Sequence, residues 1–122
     1  MVTATQLPVN LVAQEKTAIR QLLEKTLELH GDEVQQVILF GSKARGDFSA
    51  DSDTDLLMLV RNETWNLRLS IWSLAARIEL EHDVIFNIQV IGLERWGQMC
   101  EAKFGLCQSV EREGLTLFKR SQ

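Results

Sequence analysis

Residues 37–60 read VILFGSKARGDFSADSDTDLLMLV, and this stretch decides the fold. The apolar run at residues 37–40 predicts a buried strand, and Gly41-Ser42 predicts a turn that opens a short helix. A polar loop and a second strand, residues 53–60, follow. Beyond its first acidic residues this strand is apolar on both faces, so we expect it at the centre of a sheet covered on both sides.

Two pairs of residues in this stretch carry the candidate chemistry. Asp53 and Asp55 lie two positions apart on a strand, so both side chains project from one face. Together they can bind one divalent cation, or two held about 3.5–4 Å apart. The Gly41-Ser42 turn begins a helix, whose first N–H groups lack intrahelical partners and can bind phosphate. A phosphate site and a metal site on adjacent strands predict a nucleotide-binding site.

Gly41-Ser42, ten residues and then Asp53-x-Asp55 resemble the signature of the minimal nucleotidyltransferases, the smallest members of the DNA polymerase β-like superfamily. The resemblance is strong over residues 37–60 and looser over the remaining strand and helix order. It implies an α/β (α+β) fold, with a small mixed sheet of about four strands flanked by helices. It also implies an enzyme that moves a nucleoside monophosphate, with AMP as the first candidate, from ATP or another NTP to an acceptor. Asp53 and Asp55 would be catalytic and would bind Mg²⁺ or Mn²⁺.

Four residues of the turn and short helix are candidates for nucleotide binding. The backbone at Gly41 and the hydroxyl of Ser42 would hold phosphates, although Ser42 could also cap the short helix. Lys43 and Arg45 could reach triphosphate oxygens. For Lys43 a simple surface charge is an equal alternative, whereas Arg45 matches the basic position of the family's motif.

The third acidic position of the superfamily has no clear match in this chain. Residues 84–91 predict the strand that supplies it, and Asn87 aligns with the acid, with Asp83 as the alternative. An amide offers a neutral oxygen ligand and cannot deprotonate an attacking hydroxyl. Two hypotheses follow: an enzyme with Asn87 in its catalytic set, or a catalytically idle transferase-like module that neutralises a partner by binding it.

Residues 63–82 predict a helix that is apolar on two opposed faces. One face would pack on the sheet, and the other, which carries Trp65, Leu69 and Trp72, is a candidate protein interface. The alternative is that other parts of the chain, such as a C-terminal helix at residues 93–112, cover it. The family resemblance implies a small helical HEPN-type toxin as partner, with this chain as the antitoxin; a homodimer is the other candidate.

Size and composition restrict the function further. A chain of 122 residues predicts one domain, residues 1–122, with no second domain to hold a template or primer. The net charge of −4 argues against binding to long nucleic acid, which requires a basic face. We find no apolar run that could span a membrane and no signal segment, so we expect a cytoplasmic protein.

Three local expectations concern residues outside this stretch or in its loop. Cys100 and Cys107 are too few for a disulfide framework, so we expect two small buried thiols on one helical stripe. Residues 10–30 predict a helix whose solvated face includes Glu15. Asp47 and Asp51 are expected to form turns in the loop before the second strand.

Overall fold

A mixed sheet of four strands forms the centre of the computed structural model, which describes residues 7, 11–46 and 52–120. The strands are β1 (Val34–Phe40), β2 (Thr54–Val60), β3 (Phe86–Gly92) and β4 (Leu115–Lys119). Their order across the sheet is β3-β2-β1-β4. β2 and β3 are parallel, and β1 is antiparallel to both β2 and β4. This mixed sheet confirms the predicted fold class. The predicted turns at Asp47 and Asp51 lie outside the described residues.

Within the described residues, five helices accompany the sheet: α1 (Ala13–His30), α2 (Ser42–Arg45), α3 (Trp65–His82), α4 (Leu93–Glu101) and α5 (Gly105–Glu113). The helices α1 and α3 pack together and share one apolar core with one face of the sheet. On the other face, a smaller core includes Val110 of α5 and Trp96 of α4. No helix in the described part of the chain is long and apolar enough to cross a membrane.

β2 lies between β1 and β3 and is covered on both faces, as predicted. Leu56, Met58 and Val60 belong to the core under α1 and α3, while Leu57 and Leu59 belong to the core under α4 and α5. Burial of each such leucine contributes about 1.5–3 kcal/mol relative to exposure. The burial of β2 on both faces therefore fixes the position of its first residues, where the acidic residues lie.

One of the two apolar stripes predicted for α3 is buried in the core, as expected. Thr64 caps its N-terminus by accepting a hydrogen bond from the N–H of Leu67 at 3.1 Å. The residues of the α3 stripe that faces the sheet and α1 are buried: Leu67, Ile71, Ala75 and Ile78.

The prediction of one long C-terminal helix was wrong, and so was the prediction of two free thiols. The chain leaves α4 at Ala102, passes Lys103 with a φ of 58°, and begins α5 at Gly105. This turn brings Cys100 and Cys107 to a Cα–Cα distance of 5.3 Å, and a disulfide joins them. A continuous helix would have kept these two residues on separate turns.

Glu63 joins three elements at the end of the sheet opposite the acidic residues. Its carboxylate accepts hydrogen bonds from the N–H of Gly92, from Arg68 and from Arg95. Burial raises the pKa of this carboxyl, but the bonds from Gly92, Arg95 and Arg68 outweigh burial and hold the pKa below its usual value. The ionised form of Glu63 therefore holds α3, β3 and α4 together.

Candidate nucleotide and metal site

Asp55 is the second residue of β2, and Asp53 directly precedes the strand. Thr54, between them, is 1% exposed and faces the core under α1 and α3, so the alternation of side chains along extended backbone assigns Asp53 and Asp55 to the opposite face. In the sheet, Asp55 lies opposite Phe40 of β1 on one side and Asn87 of β3 on the other. We call Asp53, Asp55 and Asn87 the acidic row.

The turn at Gly41-Ser42 lies directly against Asp55 of the acidic row. Gly41 has a φ of +75°, which side chains rarely permit. A β-carbon at Gly41 would collide with the carboxylate of Asp55, so only glycine allows this approach. Gly41 is also the N-cap of α2, and its carbonyl accepts the N–H groups of Ala44 and Arg45 at 3.1 Å. Ser42 is the first helical residue, so Gly41, rather than Ser42, holds the cap position.

Asn87 contacts Asp55 directly, whereas Asp83 does not belong to the row. The Asn87 side-chain nitrogen Nδ2 donates to Oδ1 of Asp55 at 2.9 Å. Asp83 instead ends α3 in the left-handed conformation, with a φ of 53° and its N–H bonded to the carbonyl of Glu79. β3 begins only at Phe86, so Asp83 lies outside the strand that faces Asp55. The structure therefore corrects the alternative that placed Asp83 in the third acidic position.

Lys43 is buried, so the alternative that it is a simple surface charge was wrong, and phosphate binding by Lys43 stays a prediction. The residue is 1% exposed, and its ammonium lies 2.5 Å from Oε2 of Glu15 on α1. Glu15 was expected on the solvated face of its helix, but it is 9% exposed. Since a lysine buried beside a carboxylate would have to break that pair to bind phosphate, we assign this ion pair to the attachment of α2 to α1.

Arg45 remains at the surface of the site but has a carboxylate partner. Its Nη1 donates to both carboxylate oxygens of Glu113 on α5, at 3.1 and 3.0 Å. The Arg45 side chain is 45% exposed, whereas that of Glu113 is 11% exposed. An incoming triphosphate would therefore have to share this guanidinium with Glu113, and phosphate binding by Arg45 stays a prediction.

Sequence reasoning did not identify the two acidic partners, Glu15 and Glu113. For Glu15 a signal was present, because it precedes the buried residues Ala18, Ile19 and Leu22 by three, four and seven positions. That spacing places it on the apolar stripe of the helix. For Glu113 no such signal exists, because its contact with Arg45 depends on how α5 folds back onto the sheet.

The chemistry of the acidic row suits a hard divalent cation. Two carboxylates supply charged oxygen ligands, and the amide of Asn87 could add a neutral one. Rotation of that amide would exchange its nitrogen for its oxygen on the side of Asp55. The row is more open than a fully enclosed structural site, because Asp53 and Asn87 are exposed and Asp55 is half-buried.

The outer face of α3 is exposed, and it carries the predicted interface residues. We call Trp65, Leu69 and Trp72 the tryptophan stripe; they are 60%, 42% and 40% exposed. The two indole rings meet edge to face with centroids 6.0 Å apart, and Arg68 lies 5.8 and 5.9 Å from their centres. Neither α4 nor α5 covers the stripe, so the alternative that a C-terminal helix covers it was wrong.

Comparisons with known proteins place the chain among nucleotide-transferring enzymes. A family model described as "Polymerase beta, Nucleotidyltransferase" matches residues 19–122. A Methanocaldococcus jannaschii protein, described provisionally as protein adenylyltransferase MJ0141, is 40% identical over 57 residues, which make up 46% of this chain and 58% of that protein. The matched stretch thus spans little more than half of this relative.

Two solved structures share the fold at low sequence identity. The first is a crystal structure of a toxin–antitoxin complex with AMP-PNP, with a TM-score of 0.57, 22% identity, and coverage of 91% of this chain and 77% of that chain. The second is the tri-AMPylated Shewanella oneidensis HEPN toxin in complex with MNT antitoxin, with a TM-score of 0.51 and 22% identity. It covers 88% of this chain and 73% of that chain.

Proposed function

Since this chain belongs to the polymerase β nucleotidyltransferase family, we propose that it transfers AMP from ATP to a hydroxyl group on a protein acceptor. The acceptor is a small helical toxin of the HEPN type, for which this chain is the antitoxin. The relative described as a protein adenylyltransferase supports the choice of AMP and of a protein acceptor. The likeness to complexes of a toxin with its antitoxin supports the choice of partner.

The contact between Gly41 and Asp55 is the observation that carries this proposal. It brings a turn suited to phosphate against a carboxylate suited to a cation, as a metal-bound triphosphate requires. The backbone at Gly41 and the hydroxyl of Ser42 would bind phosphate oxygens, with Arg45 as a further donor. Mg²⁺ or Mn²⁺ in the acidic row would polarise the α-phosphate and lower the pKa of the attacking hydroxyl.

The proposed transfer is a single displacement at the α-phosphorus. The acceptor oxygen forms a bond to this phosphorus, the bond to the oxygen that leads to the β-phosphate breaks, and pyrophosphate leaves. The hydroxyl proton passes to a carboxylate of the acidic row or to water, because the amide of Asn87 cannot accept it. The whole chain would act as one nucleotidyltransferase domain, in the cytoplasm, where ATP and the toxin meet.

Transfer of a radioactive label tests the proposal. The protein is incubated with ATP labelled at the α-phosphate, Mg²⁺ and its HEPN-type partner, beside an Asp53→Asn/Asp55→Asn double variant. We expect label on the partner with the wild type and none with the double variant. Asp32→Asn, an identical change at an exposed residue outside the site, serves as the matched control and should transfer label normally.

The second candidate function is a binding module without turnover, and the observation behind it is the amide of Asn87 in place of an acid. The relative described as an adenylyltransferase favours the enzyme over this module. Absence of label transfer with each of the four NTPs, together with tight binding to the partner, would overturn the proposal and support the module.

A further inference from the structure

β3 is an edge strand, and side chains occupy much of its free edge. In a parallel pair alternate residues bond to the neighbouring strand, and the N–H of Thr54 donates to the carbonyl of Ile85 at 2.8 Å. Phe86, which follows Ile85, and every second residue after it in β3 therefore turn their main-chain groups away from β2. These outward residues are Phe86, Ile88, Val90 and Gly92.

Each of these four outward residues has one main-chain group bonded to a side chain. Glu79 Oε2 accepts the N–H of Phe86 at 2.8 Å, and Trp72 Nε1 donates to the carbonyl of Ile88 at 3.2 Å. Farther along, Arg68 Nη2 donates to the carbonyl of Val90 at 3.1 Å, and Glu63 Oε1 accepts the N–H of Gly92 at 2.8 Å. The helix α3 and the residues before it thus take the place of a further strand along this edge.

Two of the four bonds bracket Asn87. Asn87 is the second residue of β3, and its neighbours Phe86 and Ile88 are the residues held by Glu79 and Trp72. An edge strand opens most easily at its ends, because few contacts must break there. Asn87 is itself exposed, so its contact with Asp55 depends on where the backbone at residues 86–88 is held.

We propose that Glu79 and Trp72 are positioning residues of the acidic row. By fixing the main chain on both sides of Asn87, they hold its amide against Oδ1 of Asp55. The inference rests on the proposed function only in taking the row as the metal site, since the contacts themselves require no metal or nucleotide. A role limited to covering the sheet edge would make all four bonds equivalent. A positioning role predicts that the two bonds beside Asn87 affect the position of its amide more than the bonds at Val90 and Gly92 do.

The side-chain amide of Asn87 can report its own position by NMR. Its two N–H signals, assigned through their loss in Asn87→Asp, should be well separated because one proton is bonded to Asp55. Glu79→Ala and Trp72→Phe should each move these signals towards those of a solvated amide. Glu79→Gln keeps an oxygen acceptor for Phe86 and should restore the wild-type signals. Arg68→Met removes the bond at Val90 together with the contacts of Arg68 to Glu63 and to the two indole rings, but it leaves both bonds beside Asn87 in place. It is the control and should leave the Asn87 signals unchanged.

Affinity for Mn²⁺, measured by calorimetry, provides the second measurement. Loss of a residue that orients a metal ligand typically weakens binding by about 10-fold or more. We expect that loss in Glu79→Ala and Trp72→Phe and not in Glu79→Gln or Arg68→Met. Circular dichroism checks that each variant is folded. If Trp72→Phe is unstable, the comparison of Glu79→Ala with Glu79→Gln tests the positioning role alone.

The outcomes separate this inference from the proposed function. Unchanged Asn87 signals in Glu79→Ala and Trp72→Phe, or an equal change in Arg68→Met, would overturn the positioning role. Changed signals in a protein that transfers no label would leave the positioning role standing and would count against the enzyme alone.

Discussion

At Gly41 the backbone lies so close to the Asp55 carboxylate that the lack of a side chain should be required. In Gly41→Ala the new β-carbon collides with the Asp55 carboxylate, and the φ of +75° is strained for alanine. We expect unfolding free energy to fall by about 1–3 kcal/mol and Mn²⁺ binding to be lost. Urea unfolding and calorimetric titration with Mn²⁺ measure the two effects.

Gly97 provides the matched control for this substitution. It lies within α4, and a β-carbon there would meet no atom within 4 Å. Gly97→Ala should therefore leave Mn²⁺ binding unchanged and raise the unfolding free energy by up to about 1 kcal/mol, since alanine favours the helix. Normal metal binding by Gly41→Ala would contradict the contact on which the site depends.

Asn87 lies where the family resemblance implies an acid, and placing an acid there should strengthen the proposed metal site. Asn87→Asp adds a third carboxylate beside Asp55, which repels it when no cation is present. We expect a lower melting temperature without metal and Mn²⁺ affinity higher by about 10-fold, because charge on the ligands governs affinity for hard cations. Calorimetry and thermal melts with and without Mn²⁺ measure these changes.

Gln89→Glu controls for the added charge, because it makes the same amide-to-acid change at an exposed position two residues along β3. A gain in affinity of equal size in Gln89→Glu would show that general charge, and not a ligand at position 87, is responsible.

At the scale of elements, the strands were predictable because their patterns are local. The two-sided apolar pattern of residues 56–60 predicted the central place of β2. The metal site that the acid pair predicts at the start of β2 stays a prediction. The contacts of Lys43 and Arg45 were not predictable, because each depends on a glutamate brought close only by the packing of α1 or α5. The disulfide was missed for a similar reason, since it needs the turn between α4 and α5.

Glu63 makes the junction of α3, β3 and α4 dependent on pH. Its pKa is lower in the folded chain than in the unfolded one, so the ionised carboxylate stabilises the fold above the unfolded-state pKa of about 4.3. This stabilisation is lost as pH falls through the lower, folded-state pKa. Glu63→Gln should therefore melt below the wild type at pH 7, and the difference should shrink towards pH 3.

Thermal melts across this pH range test the role of Glu63. Glu24→Gln, at an exposed position of α1, is the control and should follow the wild type closely at every pH. A constant difference between wild type and Glu63→Gln from pH 7 to pH 3 would contradict the role given to the ionised carboxylate.

At the scale of the whole molecule, the tryptophan stripe is the surface through which we expect the partner to bind. Trp65→Ala/Leu69→Ala removes largely exposed side chains and the edge-to-face contact of Trp65 with Trp72, so the unfolding free energy should fall by only about 1–2 kcal/mol. Affinity for the HEPN-type partner should fall by at least about 10-fold, as is usual when buried aromatic anchors are removed from an interface. Calorimetric titration with the partner measures the loss.

Leu29→Ala, at a residue of α1 that is 61% exposed, tests whether any exposed apolar side chain has this effect. It should bind the partner normally. Unchanged binding by the double variant, or a stripe buried in a homodimer of this chain, would contradict the assignment. Trp72 is part of the stripe and also donates to the carbonyl of Ile88, next to Asn87. A protein bound to the stripe would therefore contact one of the two proposed positioning residues.

The ion pair between Lys43 and Glu15 has a practical consequence for dissecting this protein. The family match begins at residue 19, whereas Glu15 lies before that boundary. A fragment trimmed to the match would keep the whole acidic row but lose the carboxylate that pairs with Lys43, and with it an attachment of α2 to α1. Loss of activity in such a fragment would then reflect a folding defect and not the absence of a catalytic residue. A fragment made for activity assays should therefore include the first turn of α1.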